Sequence, residues 1–158
     1  MLMRKINWTR LILAIGLCLG TGFLGSLVTT PSITGWYARL NKPLFNPPNW
    51  IFAPVWTTLF IIMGIALYLV WTSNSPRRTA AAHLFYLQLG LNFLWSYLFF
   101  GLRNPTIAML DIVVLWIAIF LTIRAFVPIS KTAAYLLLPY IAWVSFAGML
   151  NFFIVLLN

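Results

Sequence analysis

Side chains able to do acid–base or metal chemistry are scarce in this chain. Its 158 residues include one acid, Asp111, one histidine, His83, and one cysteine, Cys18. General acid–base catalysis needs positioned titratable groups, often in pairs, so hydrolysis and group transfer are not expected. Three or four His, Cys or carboxylate ligands make a metal site, so neither a metal nor a cofactor is expected. One cysteine excludes a disulfide framework. Aromatic surface, in contrast, is abundant: eight Trp, thirteen Phe and six Tyr. Such rings take up apolar, planar molecules by burial and stacking. On helices, Trp56 and Phe60 share a face, as do Asn92 and Trp95, and Trp143, Ala147 and Leu150 follow at i, i+4 and i+7. One reading is an apolar pocket with Asn92 as its polar handle; the other is ordinary packing between helices. Asp111 lies inside an apolar run, where an ionisable group is a functional candidate. It could equally bond a neighbouring Trp or Tyr, or pair with a flanking Arg. His83, beside Arg77 and Arg78, reads as interfacial. An ion- or proton-coupled relay would need several intramembrane ionisable groups, which disfavours active transport.

The elements that must position these residues are membrane helices. The chain is 63% hydrophobic and 7% charged, where a soluble domain carries about a quarter charged residues. Uncharged or nearly uncharged runs of about 20 residues span a bilayer. Five are found, at about 11–30, 51–72, 80–101, 106–123 and 132–157, and no Lys or Arg falls inside them. They are continuous rather than alternating, which indicates helices and not barrel strands. The expected fold is an all-α bundle of five transmembrane helices in one domain, 1–158. The first span is expected to be retained, being longer than a signal-peptide core and lacking a good cleavage site.

Local signals mark the boundaries. Asn104-Pro105 reads as N-cap and first residue of span four, and Ser130 or Lys131 opens span five. Ser73-Asn74-Ser75-Pro76 turns the chain after span two. The loop at 31–50 is Pro-rich and cannot face hydrocarbon, so it is expected to fold over one end of the bundle as a lid. Trp8, Trp71 and Trp116 read as interface-belt residues. Gly16-Leu17-Cys18-Leu19-Gly20, followed by Gly22 and Gly25, favours tight helix packing within or between chains.

The net charge of +9 does not indicate nucleic-acid binding, because the cations are scattered and form no stripe. They read as membrane-flanking anchors. One side receives Arg4, Lys5, Arg10, Arg77, Arg78, Arg124 and Lys131; the other receives Arg39, Lys42 and Arg103. The positive-inside rule then places the N-terminus in the cytoplasm of an inner-membrane-like bilayer.

Several motifs carry a specific resemblance. Trp36-Tyr37-Ala38-Arg39-Leu40-Asn41-Lys42-Pro43-Leu44-Phe45-Asn46-Pro47-Pro48-Asn49-Trp50, with Pro54-Val55-Trp56-Thr57, resembles the TspO/translocator protein (peripheral benzodiazepine receptor) family. Leu91-Asn92-Phe93-Leu94-Trp95-Ser96, Asp111, and Leu138-Pro139-Tyr140-Ile141-Ala142-Trp143 extend it in the right order. The resemblance implies a five-helix bundle, usually a homodimer, binding porphyrins, cholesterol-like lipids and synthetic aromatic ligands. It implies ligand contacts at Tyr37, Pro47, Phe52, Trp56, Phe60, Asn92, Trp95, Trp143, Ala147 and Leu150. Trp56 matches a tryptophan implicated in light-dependent porphyrin breakdown in some bacterial members, which makes it a candidate catalytic residue. The family's C-terminal sterol motif is altered here, with Phe152 and Leu156 at its aromatic and basic positions. A tetrapyrrole receptor or sensor is therefore the expected function, with porphyrin or lipid transport and photo-oxidative porphyrin degradation as alternatives.

Overall fold

A computed structural model describes residues 5–158. Arg4, one of the seven cations tallied above, lies outside them. Helices α1 (Trp8–Ile33), α2 (Asn49–Trp71), α3 (Arg78–Ser96) and α4 (Pro105–Phe126) are followed by α5 (Lys131–Leu136) and α6 (Leu138–Leu157). The last two together form the fifth span, so five helical segments are long and apolar enough to cross a membrane. The expected all-α membrane bundle is the observed architecture. α1 packs against α2 and α3, α3 against α4, and α4 against α6, while α5 closes against α2.

Capping explains several helix starts. Asn7 accepts from the Arg10 amide at α1, Asn104 from the Ile107 amide at α4, and Ser130 from the Ala133 amide at α5. Each supplies an acceptor for an N–H that the first helical turn leaves free. Two proline expectations need correction. Pro31 lies within α1 rather than in the loop. Pro139 breaks the fifth span, expected to be continuous, into α5 and α6. It brings no N–H to the helical ladder, and the Leu137 amide closes a tight turn on Ala134 instead.

The bundle is solid at one end and hollow at the other. The solid half holds Met63, Leu67, Phe85, Leu115, Ile119 and Phe126, all almost fully buried, with Phe85 and Phe126 stacked at 6.0 Å. Gly64 lets α1 and α2 approach here: a Cβ would lie 2.5 Å from the Ile15 Cα. Gly16 and Gly20 do not serve this purpose within the chain, since a Cβ at either would meet nothing within 4 Å. Trp116 sits mid-way along α4, not at an interface belt, and donates to Ser145 of α6 at 2.8 Å. Past Gly22 and Gly25 the bundle opens into a cavity beneath the loop.

The 31–50 stretch behaves as a lid from residue 34 onward. A 3-10 turn at Tyr37–Arg39 seats Tyr37 against Phe99 and Phe100. Asn41 bonds the Leu157 carbonyl and the Asn158 side chain, which ties the loop to the end of α6. Phe45 packs on Phe146 and Phe153.

Candidate functional site

The cavity has a volume of about 520 Å3 and is walled by four helices. Beside the bulkier Leu19, Phe23 and Ile33, α1 contributes small and hydroxyl side chains at Gly22, Gly25, Ser26 and Thr29. Their lack of bulk creates the space, and a Cβ at Gly22 would already lie 2.5 Å from the Phe60 ring. α2 contributes Phe52, Trp56 and Phe60, with Trp56 stacked on Phe60 at 5.5 Å. α6 contributes Trp143, Ala147, Leu150, Asn151 and Ile154. The fourth wall is Asn92, Trp95 and Ser96 of α3, continued by Phe99 and Phe100.

A π-helical turn at Tyr97–Gly101 aims those last two rings. The Leu102 amide reaches back to the Tyr97 carbonyl at 2.8 Å, which widens the turn by one residue. Trp95 then stacks on Phe99 at 5.1 Å. Gly101 accommodates α1, because a Cβ there would lie 2.9 Å from a Val28 methyl. Ser32 of α1 donates to the Phe100 carbonyl at 2.9 Å and fixes the contact. The chain leaves the turn through Arg103 in the left-handed region, at φ 52°, where a residue after a helix often satisfies the last carbonyls.

Most polar groups at the cavity are committed, the hydroxyls of Thr21, Ser26, Thr29 and Thr57 to carbonyls of their own helices. Trp95 donates its Nε1–H to Asn151 Oδ1 at 3.0 Å, and Asn151 donates to the Pro105 carbonyl at 2.8 Å. Asn92 donates to the Tyr140 hydroxyl at 3.0 Å, which in turn donates to Gln88 Oε1 at 2.7 Å. Asn92 Oδ1 receives no hydrogen bond from a described residue, so the carbonyl end of this handle is the available one. The Trp143 Nε1–H is buried without a partner. An unpaired donor of this kind carries a desolvation cost of about 1–3 kcal/mol. At the lid, burial raises the Tyr37 phenol above its ordinary 10.0, and its hydroxyl donates to Asn46 Oδ1 at 3.3 Å. Lys42 lies 4.6 Å above the Tyr37 ring, and burial lowers its ammonium below 10.5.

Nine of the ten residues expected from sequence line this one cavity. Pro47 does not. Its carbonyl accepts from Asn46 Nδ2 and the chain bends into α2, so Asn49 reaches the cavity in its place. Asp111 also departs from expectation. It is buried, yet its Oδ2 has no hydrogen-bond partner, and neither an aromatic N–H or O–H nor an Arg pairs with it among the described residues. No described cluster of His, Cys, Asp or Glu could hold a metal. Sequence reading missed the α1 wall, the Phe99–Phe100 pair as cavity residues, and Asn151. The spacing of Gly22, Ser26, Thr29 and Ile33 is a helical stripe that marks the first. Asn151, four residues after Ala147, continues the α6 face.

A profile of the TspO/MBR family matches residues 14–157. The chain belongs to the TspO/MBR family. It is 50% identical over 152 residues to the Tryptophan-rich protein TspO of Chlorobaculum tepidum, covering 94% of this chain and 95% of that one. Similarity to the Translocator protein of Bos taurus is 41% over 134 residues, covering 83% and 79% of the two chains. The Tryptophan-rich sensory protein of Cereibacter sphaeroides is 31% identical over 154 residues, covering 98% and 94%. The matched TspO/MBR region contains the whole cavity and the lid, so this protein is an integral, multi-pass member of that family.

Proposed function

We propose that this TspO/MBR chain is a membrane receptor or sensor that binds tetrapyrroles and similar planar hydrophobic molecules in the cavity under the lid. The observation that carries this reading is the cavity's composition. Three tryptophans and five phenylalanines surround about 520 Å3, within the roughly 300–1,000 Å3 typical of small-molecule sites. No charged side chain lines it among the described residues. A flat conjugated ring gains burial and offset stacking from such walls. Asn92 Oδ1 can accept from a pyrrole N–H, and the free Trp143 Nε1–H can donate to a ligand oxygen. One relative is called a sensory protein, in keeping with a sensor; the name translocator protein, borne by others, fits the transport alternative. The same reading includes a homodimer, membrane lipid around the bundle and a cytoplasmic N-terminus.

A second reading rests on Trp56, which stacks on Phe60 at the cavity wall. An indole in van der Waals contact with a photo-excited porphyrin could serve as its redox partner, giving light-dependent porphyrin breakdown. Protoporphyrin titration followed by quenching of tryptophan fluorescence, in darkness and in light, tests both readings. The receptor reading expects saturable quenching in darkness; linear, unsaturable quenching contradicts it. The second expects illumination to consume porphyrin and Trp56→Phe to abolish consumption while binding persists. Undiminished consumption by that variant removes Trp56 from the chemistry.

A further inference from the structure

A second cavity, of about 370 Å3, lies at the opposite end of the bundle, between the start of α1, the end of α2 and the first turns of α3. It shares no residue with the aromatic cavity. Arg10, Arg78, His83 and Thr79 line it, together with the rings of Trp71 and Tyr86. Part of the arginine chemistry is structural. Arg10 donates to the Trp71 carbonyl at 3.4 Å and Arg78 to the Ser73 carbonyl at 2.8 Å. Cations there complement the C-terminal end of α2. That role occupies one nitrogen of each guanidinium, which carries five N–H donors in a fixed fork. The remaining donors have no acceptor among the described residues.

Neutralisation from within the chain is also missing. The sequence holds ten Lys or Arg against one acid, and that acid is buried on α4. Two unpaired guanidiniums facing one cavity create a site for a doubly coordinated oxyanion, because the fork matches phosphate geometry. Thr79 adds a hydroxyl and His83 a ring N–H. The cavity's level selects the source of the phosphate. It sits where three helices end, and Trp71 donates to the Tyr86 hydroxyl at 2.8 Å, a pairing suited to the headgroup layer. Just below, Tyr86 and Leu87 present exposed surface on α3, along which an acyl chain can lie.

We infer that this cavity binds the phosphodiester of an anionic phospholipid headgroup. Basic pockets between transmembrane helices recognise such headgroups by this chemistry.

The test is native mass spectrometry of the full chain released from detergent after incubation with phosphatidylglycerol or phosphatidylcholine. Wild type should retain several-fold more phosphatidylglycerol than phosphatidylcholine. Arg10→Gln/Arg78→Gln should lose at least about 5-fold of that retention. Arg77→Gln/Arg124→Gln removes the same charge outside the cavity and should retain the lipid within about 2-fold of wild type. Equal losses in the two double variants would mean diffuse attraction and overturn the site. Arg10→Lys/Arg78→Lys keeps the charge at the end of α2 and covers the case in which the Gln pair does not fold. Losing the fork, it should retain about 2- to 3-fold less lipid than wild type, and undiminished retention overturns the proposal. Inorganic phosphate at 100-fold excess over lipid, about a two-decade bias in occupancy, should leave the adduct in place. Displacement would reassign the cavity to a soluble phosphate and overturn the lipid inference. Porphyrin quenching by the same variants reports on the other cavity, so the two proposals fail separately.

Discussion

The two halves of this bundle use one composition for opposite ends. In the solid half, the distal part of α2 and the first part of α3 bury Met63, Leu67 and Phe85 completely. In the hollow half, the first part of α2 and the last part of α3 turn Trp56 and Trp95 toward empty space. The difference does not lie in hydrophobicity, because both halves are apolar. It lies in what α1 offers opposite them. At Gly64 the α1 backbone comes into contact with α2, whereas at Gly22, Gly25, Ser26 and Thr29 it offers too little side chain to fill the gap. The two cavities differ again in charge: the aromatic one has no charged side chain in its described lining, and the one at the solid end is lined by Arg10 and Arg78.

The contrast can be broken most strongly in the core. Phe85→Ala removes a fully buried ring stacked on Phe126 and should cost about 3–5 kcal/mol, seen as a large drop in Tm in detergent. A cost near that of a surface change would mean that the solid half is not solid. Gly64→Ala should cost about 1–3 kcal/mol, because the new methyl meets the Ile15 backbone, which can yield only if the helices separate. The hollow half should respond in the other currency. Trp56→Phe should shift Tm little, at a cost below about 1.5 kcal/mol. Porphyrin affinity should nonetheless weaken about 3- to 10-fold through lost stacking.

The smallest effect concerns the lid. Folding raises the Tyr37 phenol above 10.0, so the docked lid favours the neutral form. As pH rises past about 10 the undocked loop binds fewer protons than the docked one, and docking weakens. Lys42, lowered from 10.5, acts in the opposite sense and keeps the net change small. Near-ultraviolet circular dichroism of the loop-end aromatics should therefore fade as pH rises above about 10. Tyr37→Phe should remove that component.

Much of this was legible in sequence, for identifiable reasons. Span number and type followed from run length, and the caps at Asn104 and Ser130 followed from side-chain chemistry. The shared faces of Trp56 with Phe60 and of Trp143 with Ala147 followed from helical spacing. Other features were hidden because lipid is as apolar as the core, so burial leaves no hydrophobic stripe. Nothing in residue type distinguishes Phe85, which is buried, from Phe120, which is exposed. The same loss of contrast hid the lack of an intrachain contact at Gly16 and Gly20. The Pro139 break and the π-helical turn are decided by backbone hydrogen bonding, to which composition is blind. Asp111 was found by rarity alone, and its unpaired oxygen could not be read from the sequence.

Planar ligands are held to bind at the hollow end, in the cavity whose described lining carries no charged side chain. Protoporphyrin offers a sharp test, because its ring suits the aromatic cavity while its carboxylates suit the arginines at the other end. The deciding measurement is its dissociation constant for Trp95→Ala beside Arg10→Gln/Arg78→Gln. We expect the tryptophan variant to bind at least about 10-fold more weakly, roughly the worth of one stacked ring and its burial, and the arginine variant to match wild type. Loss of binding in the arginine variant with wild-type affinity in Trp95→Ala would contradict the account.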